Sequence, residues 1–146
     1  MSSKHIVPTL QASVICEDVR QENNGMQTLV GVLNIIPAAK VPVGLLKLAI
    51  WTRWIGGVGK FKQSARIVAP DGTALGEAAV DFEMQDVIGQ ATNVHFFAGM
   101  QFKEFGTYKV EISLDGKEAV HFPFHVLQIQ QQPQQQAPAP APAPEA

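Results

Sequence analysis

Hydrophobic and polar residues alternate along most of the first 127 residues of the chain. In the clearest run, Gly76, Ala78, Val80, Phe82 and Met84 fall on one parity, and mostly acidic or amide residues fall on the other. A β-strand points successive side chains to opposite faces, so a period of two predicts a strand with one face on a core and one in water. The pattern therefore indicates a protein built from strands.

Counting these runs predicts about eight strands, separated by residues that favour turns. The turn signals are Asn24-Gly25, Pro70-Asp71-Gly72 and Asp115-Gly116. Short strands at regular spacing with such turns are typical of a β-sandwich or barrel, and we predict an antiparallel sandwich. The predicted strands span residues 10–19, 26–36, 45–54, 62–69, 74–85, 91–97, 106–114 and 118–127.

Two of these runs are apolar on both parities. Residues 29–36 are typical of a strand buried on both faces, so we expect that strand to be central in its sheet. The segment LLKLAIWTRWI also has apolar residues at helical spacing. Its branched and aromatic content, and the glycines after it, favour a strand over a helix.

The composition changes sharply after Leu127. The segment QIQQQPQQQAPAPAPAPEA is almost entirely glutamine, alanine and proline, which cannot build a core. We therefore predict an N-terminal arm at residues 1–9, one β-sandwich domain at 10–127 and a disordered tail at 128–146. An inert, solubilising tail is favoured over a docking motif, because its PxxP spacing follows simply from the repeat.

Charge and cysteine content exclude several classes of partner. The net charge is -2, which gives no basic surface for a nucleic acid or an anionic membrane. The most apolar segment is interrupted by Pro42, Lys47 and Arg53, which argues against membrane insertion. A single cysteine, Cys16, cannot form an internal disulfide, and the first residues lack a secretory signal, so we expect a cytoplasmic protein.

The last two predicted strands have their apolar residues at even positions, so even residues should pair with even residues. A two-residue Asp115-Gly116 loop would pair even with odd. We therefore predict a three-residue loop that includes Leu114, which pairs Ile112 with Glu118. Leu114 would then belong to the turn rather than to the core.

In that register, His121 and His125 lie on the outer face of the last strand. They are about 13 Å apart at ~3.3 Å per residue, too far to bind one metal ion. His121 would lie opposite Lys109, which disfavours a bound cation. Pro123 cannot donate a ladder hydrogen bond, so the last strand should be an edge there. These histidines are predicted to be surface residues, and no metal site is predicted.

Other candidate chemistry is equally weak. WIGGVGKFK resembles a phosphate-binding loop, but Trp54 replaces a required glycine and Phe61 replaces the serine or threonine that holds magnesium. Asp81 and Glu83 share a strand face about 6.6 Å apart, a spacing that inverting glycosidases use, yet they belong to a regular acidic stripe. Cys16 lies on an apolar parity and is predicted to be a buried thiol. We predict no catalytic residue and no cofactor.

The remaining candidate is a surface around two tryptophans. Trp51 and Trp54 have opposite parity, so one of them should face away from the core, near Arg53. Exposed tryptophan beside arginine is typical of interfaces. Gly56 and Gly57 would form the tip of a hairpin at residues 51–59. We predict that these five residues bind a partner, although a loop or the N-terminal arm could instead cover them.

Two stretches carry a resemblance to known families. MQFKEFGTYKVEISLDG resembles the F-x-x-x-G-x-Y pattern of immunoglobulin-like sandwiches, in which a tyrosine, here Tyr108, caps a corner. The order VICEDVRQENNGMQTLVGVLNII, ARIVAPDGTAL and FKEFGTYKVEISLDG is similar to a family of short bacterial domains of unknown function, over residues 10–127. The first resemblance implies an immunoglobulin-like fold, and the second implies no catalytic residues.

These observations predict a non-enzymatic bacterial protein that acts as a protein–protein interaction or structural module. Its partner would be another protein or a second copy of itself. The alternative is a small-ligand or carbohydrate-binding protein, or an unrecognised hydrolase, that uses Asp81, Glu83 and a tryptophan. A concave pocket containing those carboxylates and Trp51 or Trp54 would favour this alternative.

Overall fold

The computed structural model describes residues 4–130 and forms two sheets that face each other. Its nine strands are β1 (Thr9–Gln21), β2 (Gln27–Val32), β3 (Ile35–Ala38), β4 (Val43–Ile55), β5 (Gly59–Val68), β6 (Ala74–Met84), β7 (Gln90–Phe102), β8 (Gly106–Leu114) and β9 (Lys117–Gln128). One sheet has four strands in the order β2-β1-β4-β7, and the other has five in the order β3-β9-β8-β5-β6. The predicted all-β class is confirmed. The described part of the chain has no helix long and apolar enough to cross a membrane.

The predicted central strand at 26–36 is wrong. This segment forms two strands, β2 and β3, which lie at the edges of different sheets. Val32 is 64 % exposed, whereas Ile36 and Ala38 are buried. The segment is apolar on both parities because the chain changes sheets between β2 and β3, and the parity that faces the core changes with it.

The sheet change also produces a parallel pair. β3 runs parallel to β9, with Ile35 beside His125 and Ala38 beside Gln128. A strand that follows a hairpin turn lies antiparallel to its neighbour, whereas a strand that arrives from the other sheet can lie in either direction. The antiparallel prediction therefore holds for the other strand pairs and fails for this one.

The segment LLKLAIWTRWI lies within β4, so the strand interpretation is confirmed. Leu48, Ile50, Thr52 and Trp54 form its inner face and are all buried. The predicted hairpin at 51–59 is wrong, because β4 and β5 belong to different sheets. Residues 56–58 are a connection that crosses from one sheet to the other.

An aromatic cluster fills one end of the core. The rings of Phe102, Tyr108 and Phe124 lie between 5.2 and 5.9 Å apart, and all three side chains are buried. The Tyr108 hydroxyl donates to the Glu104 carbonyl at 2.7 Å. This bond to a backbone carbonyl a few residues upstream is the contact of a tyrosine corner, as predicted for Tyr108.

Even residues pair with even residues along most of the β8–β9 hairpin, as predicted, but the turn differs from the predicted one. Its turn is the two-residue Asp115-Gly116, with φ of 50° and 81°, rather than a three-residue loop. The bulge lies further along, where Ala119 has no partner in the hairpin, so Ile112 pairs with Val120 and the predicted pairing with Glu118 is wrong. The extra residue that the parity requires was therefore predicted correctly, but its position was wrong.

The observed position of the bulge corrects the predicted places of two residues. Leu114 is paired with Lys117 and is 8 % exposed, so it belongs to the core and not to the turn. His121 lies opposite Glu111 rather than Lys109. His121 is nevertheless on the outer face, as predicted, because the bulge preserves which parity faces inward.

The predicted edge at Pro123 is confirmed. β3 pairs with β9 only from His125 onward, so residues 117–124 of β9 have no strand on that side. The His125 N–H donates to the Asn34 carbonyl on this side. By alternation, residue 123 would point its N–H the same way, and proline has none to offer. Most of the predicted tail, from residue 131, lies outside the described residues.

Candidate functional site

The outer face of the four-stranded sheet contains Trp51. This residue is half-buried and lies between Val14 on β1 and Val94 on β7. Further along the face, Phe96 is 51 % exposed, and Lys47 Nζ lies 4.6 Å from the centre of its ring. Because odd residues of β4 point outward, Trp51 faces away from the core, as the parity argument predicted for one of the two tryptophans.

The turn between β1 and β2 lies against Trp51. The indole N–H of Trp51 donates to Gln27 Oε1 at 2.8 Å. The turn itself is held by the Gly25 N–H, which donates to the Glu22 carbonyl, and by the Met26 N–H, which donates to Asn24 Oδ1. The predicted Asn24-Gly25 turn therefore has a second consequence, since it brings Gln27 within hydrogen-bonding distance of the tryptophan.

A cavity of about 420 Å³ lies between this turn and the sheet. It is lined by Gly25 and Met26 from the turn, by Gln27 from the start of β2, and by Trp51, Arg53, Gln90 and Thr92 from β4 and β7. Arg53 projects from the same face as Trp51, and its Nε atom is buried without a hydrogen-bond partner in the described chain. The structure thus brings two of the five predicted site residues, Trp51 and Arg53, into one cavity.

Trp54 belongs to the core instead. It is 1 % exposed, and its indole N–H donates to Gln63 Oε1 at 2.6 Å. Trp54 therefore does not belong to the outer surface of the predicted site, because β4 directs its even residues between the sheets.

The bond from Trp54 is part of a buried polar network. Asn93 Nδ2 also donates to Gln63 Oε1, at 2.9 Å, and Gln63 Nε2 lies 2.9 Å from His95 Nε2. All four side chains are buried. Burial lowers the pKa of His95, because a charged imidazole is poorly solvated between the sheets.

The glycine connection is covered by the N-terminal arm. Ile6 and Val58 exchange two backbone hydrogen bonds, of 2.8 and 2.9 Å. A Cβ atom on Gly57 would lie 2.6 Å from Pro8 Cβ, so this glycine permits the arm to pack closely. Gly56, with φ of +75°, has open space around it. Neither glycine lies in the Trp51 cavity, which corrects the prediction of one continuous site.

Asp81 and Glu83 lie on the outer face of the other sheet. They line a cavity of about 580 Å³ with Lys60, Lys62 and Asp115. Lys62 pairs with Asp81 and Lys60 with Glu83 across the strands, so each carboxylate has a cation directly opposite. Among the residues that the structure describes, no tryptophan lines this cavity, so the structure does not assemble the carboxylate–tryptophan combination on which the alternative function depends.

The histidines and the cysteine are dispersed. His5 packs on Phe61 with ring centres 5.0 Å apart, and His121 and His125 bond to Glu118 and Thr107 respectively. Within residues 4–130, no group of three or more histidine, cysteine or acidic side chains is arranged to hold a metal ion. Cys16 is fully buried, as predicted, and burial raises the pKa of its thiol.

Sequence reasoning missed Gln27, Gln90 and Thr92 as residues of the Trp51 cavity. They come from β2 and β7, far from Trp51 along the chain. The alternation within β7 could have placed Thr92 on an outer face. No local pattern could have shown that this face lies beside Trp51, because that depends on which strands pair.

Comparison with known protein families gives a match over most of the chain. The model of a family of unknown function, DUF6941, matches residues 11–127. No curated protein matches the chain. The match covers all nine strands apart from the first two residues of β1 and the last residue of β9.

Proposed function

We propose that this chain, which belongs to the DUF6941 family of unknown function over residues 11–127, is a non-enzymatic protein–protein interaction or structural module. Its binding surface would be the outer face of the four-stranded sheet around Trp51 and Arg53. The partner would be another protein or a second copy of the chain.

The difference between the two outer faces supports this proposal. On the five-stranded sheet, lysine lies opposite acid in the pairs Lys60–Glu83 and Lys62–Asp81, and Arg66 and Lys109 both lie near Glu111. This face can remain in water with its charges compensated. The four-stranded sheet instead presents Trp51, Val94 and Phe96, beside Arg53 and the Lys47–Asp18 ion pair. Aromatic side chains and arginine are enriched at the centres of protein interfaces, where charged residues are depleted.

The immunoglobulin-like topology and the cellular location of the protein are part of the same proposal. We interpret the sandwich as immunoglobulin-like, which is supported by the Tyr108 corner and by connections that pass from sheet to sheet after β2, β3, β4, β6 and β7. We place the protein in the bacterial cytoplasm, on the basis of its single cysteine and its resemblance to short bacterial domains.

Affinity capture from the source bacterium tests the proposal. The tagged chain should recover a specific partner, and Trp51→Ala should reduce that recovery while Lys60→Ala, on the opposite outer face, should not. Sedimentation of the pure chain would detect self-association through the same face. The proposal fails if no partner and no self-association are found. It also fails if Trp51→Ala changes neither the recovery of the partner nor the self-association.

A further inference from the structure

The cavity beneath the β1–β2 turn contains a cation that lacks a counter-ion. Among residues 4–130, Arg53 makes no ion pair, and its buried Nε has no hydrogen-bond partner. Arg66 provides a contrast, because its Nε also lacks a hydrogen bond but lies 3.7 Å from Glu111 Oε2. Because Arg53 lines the cavity and has no counter-ion, it is the group there that a bound anion would pair with.

The other uncommitted polar groups of the cavity are mainly donors. Gln27 Oε1 accepts from the Trp51 indole, and Gln90 Oε1 accepts from the Thr92 hydroxyl at 2.7 Å. An amide that accepts through its oxygen still has an NH₂ group with two donors. The Nε2 atoms of Gln27 and Gln90, which are exposed side chains, are therefore two further donors that a ligand in the cavity can reach. An acceptor-rich anion matches this set.

The amount of charge favours a carboxylate over a phosphate. Within the part of the chain that the structure describes, Arg53 is the only charged side chain that lines the cavity. A carboxylate has one negative charge and two oxygens that fit the guanidinium fork. A phosphate monoester carries about −1.5 to −2 charges at neutral pH, which one arginine and two neutral amides would leave partly uncompensated.

The rest of the cavity offers apolar contact. The Trp51 N–H is already bonded, so its ring surface is what remains available, and Met26 at the rim is 67 % exposed. A volume of about 420 Å³ accommodates one or two side chains rather than a folded domain. The complementary ligand is therefore a short segment in which a carboxylate lies beside an apolar side chain.

We propose that this cavity binds an acidic segment of a partner protein, with an aspartate or glutamate carboxylate on Arg53 and an adjacent apolar side chain on Trp51 and Met26. The inference rests on the proposed function, because it assumes that this face is an interface, and it adds the chemistry of the partner. Since a single ion pair dominates recognition, affinity should decrease as the ionic strength rises.

Selection from a phage-displayed library of random peptides on the immobilised full-length chain tests this inference. We expect enriched peptides to carry aspartate or glutamate within two residues of an aromatic, methionine or leucine residue. A charge-assisted hydrogen bond accounts for about a tenfold or larger change in Kd, so Arg53→Gln, or glutamate-to-glutamine in the peptide, should weaken binding by about that factor. Arg66→Gln, a control on the other sheet, should leave Kd unchanged.

Reversing the charge at position 53 provides a second test, because Arg53→Gln could weaken binding by changing the local packing. Arg53→Glu should reject the acidic peptide and bind its lysine analogue. The inference is overturned if selection enriches no peptide or only peptides without acidic residues, or if Arg53→Gln leaves Kd unchanged. It is also overturned if a phosphoserine analogue binds more tightly, or if free N-acetylglutamate binds as well as the peptide.

Failure of this inference can be separated from failure of the proposed function. If binding of the selected peptides or of the captured partner is lost in Trp51→Ala but retained in Arg53→Gln, the partner is not recognised through a carboxylate, and the interface itself stands. If binding is retained in both variants, the face around Trp51 is not the interface, and both proposals fail.

Discussion

Gln63 and His95 face each other between the two sheets, with their Nε2 atoms 2.9 Å apart. Gln63 Oε1 already accepts from the indole N–H of Trp54 and the amide of Asn93, so the orientation of the Gln63 amide is determined. Its Nε2 must donate toward His95, and His95 Nε2 must therefore be the unprotonated acceptor. The network requires a neutral imidazole, with its proton on Nδ1.

Stability should therefore depend on the protonation of His95. Burial lowers the pKa of His95 in the folded chain below its ordinary value of 6.5, so the unfolded chain binds the proton more readily. The contribution of His95 is fully present above about pH 6.5 and is lost progressively as the pH falls below that value. Denaturant unfolding between pH 5 and 8 measures this loss. In the variant His95→Gln, the free energy of unfolding should depend less on pH. The control His121→Gln changes an exposed side chain and should keep the pH dependence of the parent chain.

Removing the centre of the network should destabilise the fold. Gln63→Met keeps the length of the side chain but leaves the Trp54 indole N–H, Asn93 and His95 without their partner. Each buried unsatisfied group costs about 1–3 kcal/mol, and with partial relaxation we expect a total loss of about 2–5 kcal/mol. Gln11→Met, at an exposed position, should change the free energy of unfolding by less than about 0.5 kcal/mol. Equal effects of the two substitutions would contradict the role of the network.

The β8–β9 turn should tolerate asparagine but not alanine at position 115. Asp115 has a φ of 50°, and its Oδ1 accepts from the Lys62 N–H at 2.8 Å. Asparagine keeps that acceptor and tolerates left-handed backbone, whereas alanine loses the acceptor and adopts this backbone at a cost of about 1–2 kcal/mol. In thermal or denaturant unfolding, Asp115→Asn should be about as stable as the parent chain, and Asp115→Ala should be clearly less stable. The reverse order would show that the turn is not held in this way.

The N-terminal arm should detach when Gly57 gains a side chain. A Cβ there would lie 2.6 Å from Pro8 Cβ and 3.0 Å from Met84 Sδ, and Gly57 has no positive φ that would itself disfavour alanine. Gly57→Ala should accelerate hydrogen exchange at the Ile6 and Val58 amides, which bond to each other's carbonyls.

Gly44→Ala is the matched control for that experiment. A Cβ on Gly44 would lie 2.8 Å from Gln101 Nε2, the flexible end of an exposed side chain that can move away. Exchange at Ile6 and Val58 should remain at the parent rate in this variant. If Gly57→Ala also leaves both amides protected, close packing against Pro8 does not hold the arm.

The strands could be predicted from the sequence where one face meets the core and the other meets water. The β6 and β8 boundaries lie within one residue of their predicted positions, because alternation is a local property of each strand. The prediction failed at residues 26–36, where the chain changes sheets. It also failed for Leu114, because the parity of the two strands requires an extra residue without saying where the bulge lies.

The candidate site was predicted only in part. Parity correctly required one of Trp51 and Trp54 to face outward, and Trp51 does so. Which of the two lies outward could not be derived, since it depends on which face of β4 meets the other sheet. The grouping of Gly56 and Gly57 with the tryptophans assumed a hairpin, and the connection instead crosses between sheets.

The sequence by itself determined the all-β class and the existence of most strands and turns. These depend on side-chain period and composition, which are readable within a short window. Only the tertiary structure decided which strands share a sheet, that Gln63 joins Trp54 to His95, and that the β1–β2 turn covers Trp51. Backbone hydrogen bonds hold any strand beside any other, so the sequence of one strand does not identify its neighbour.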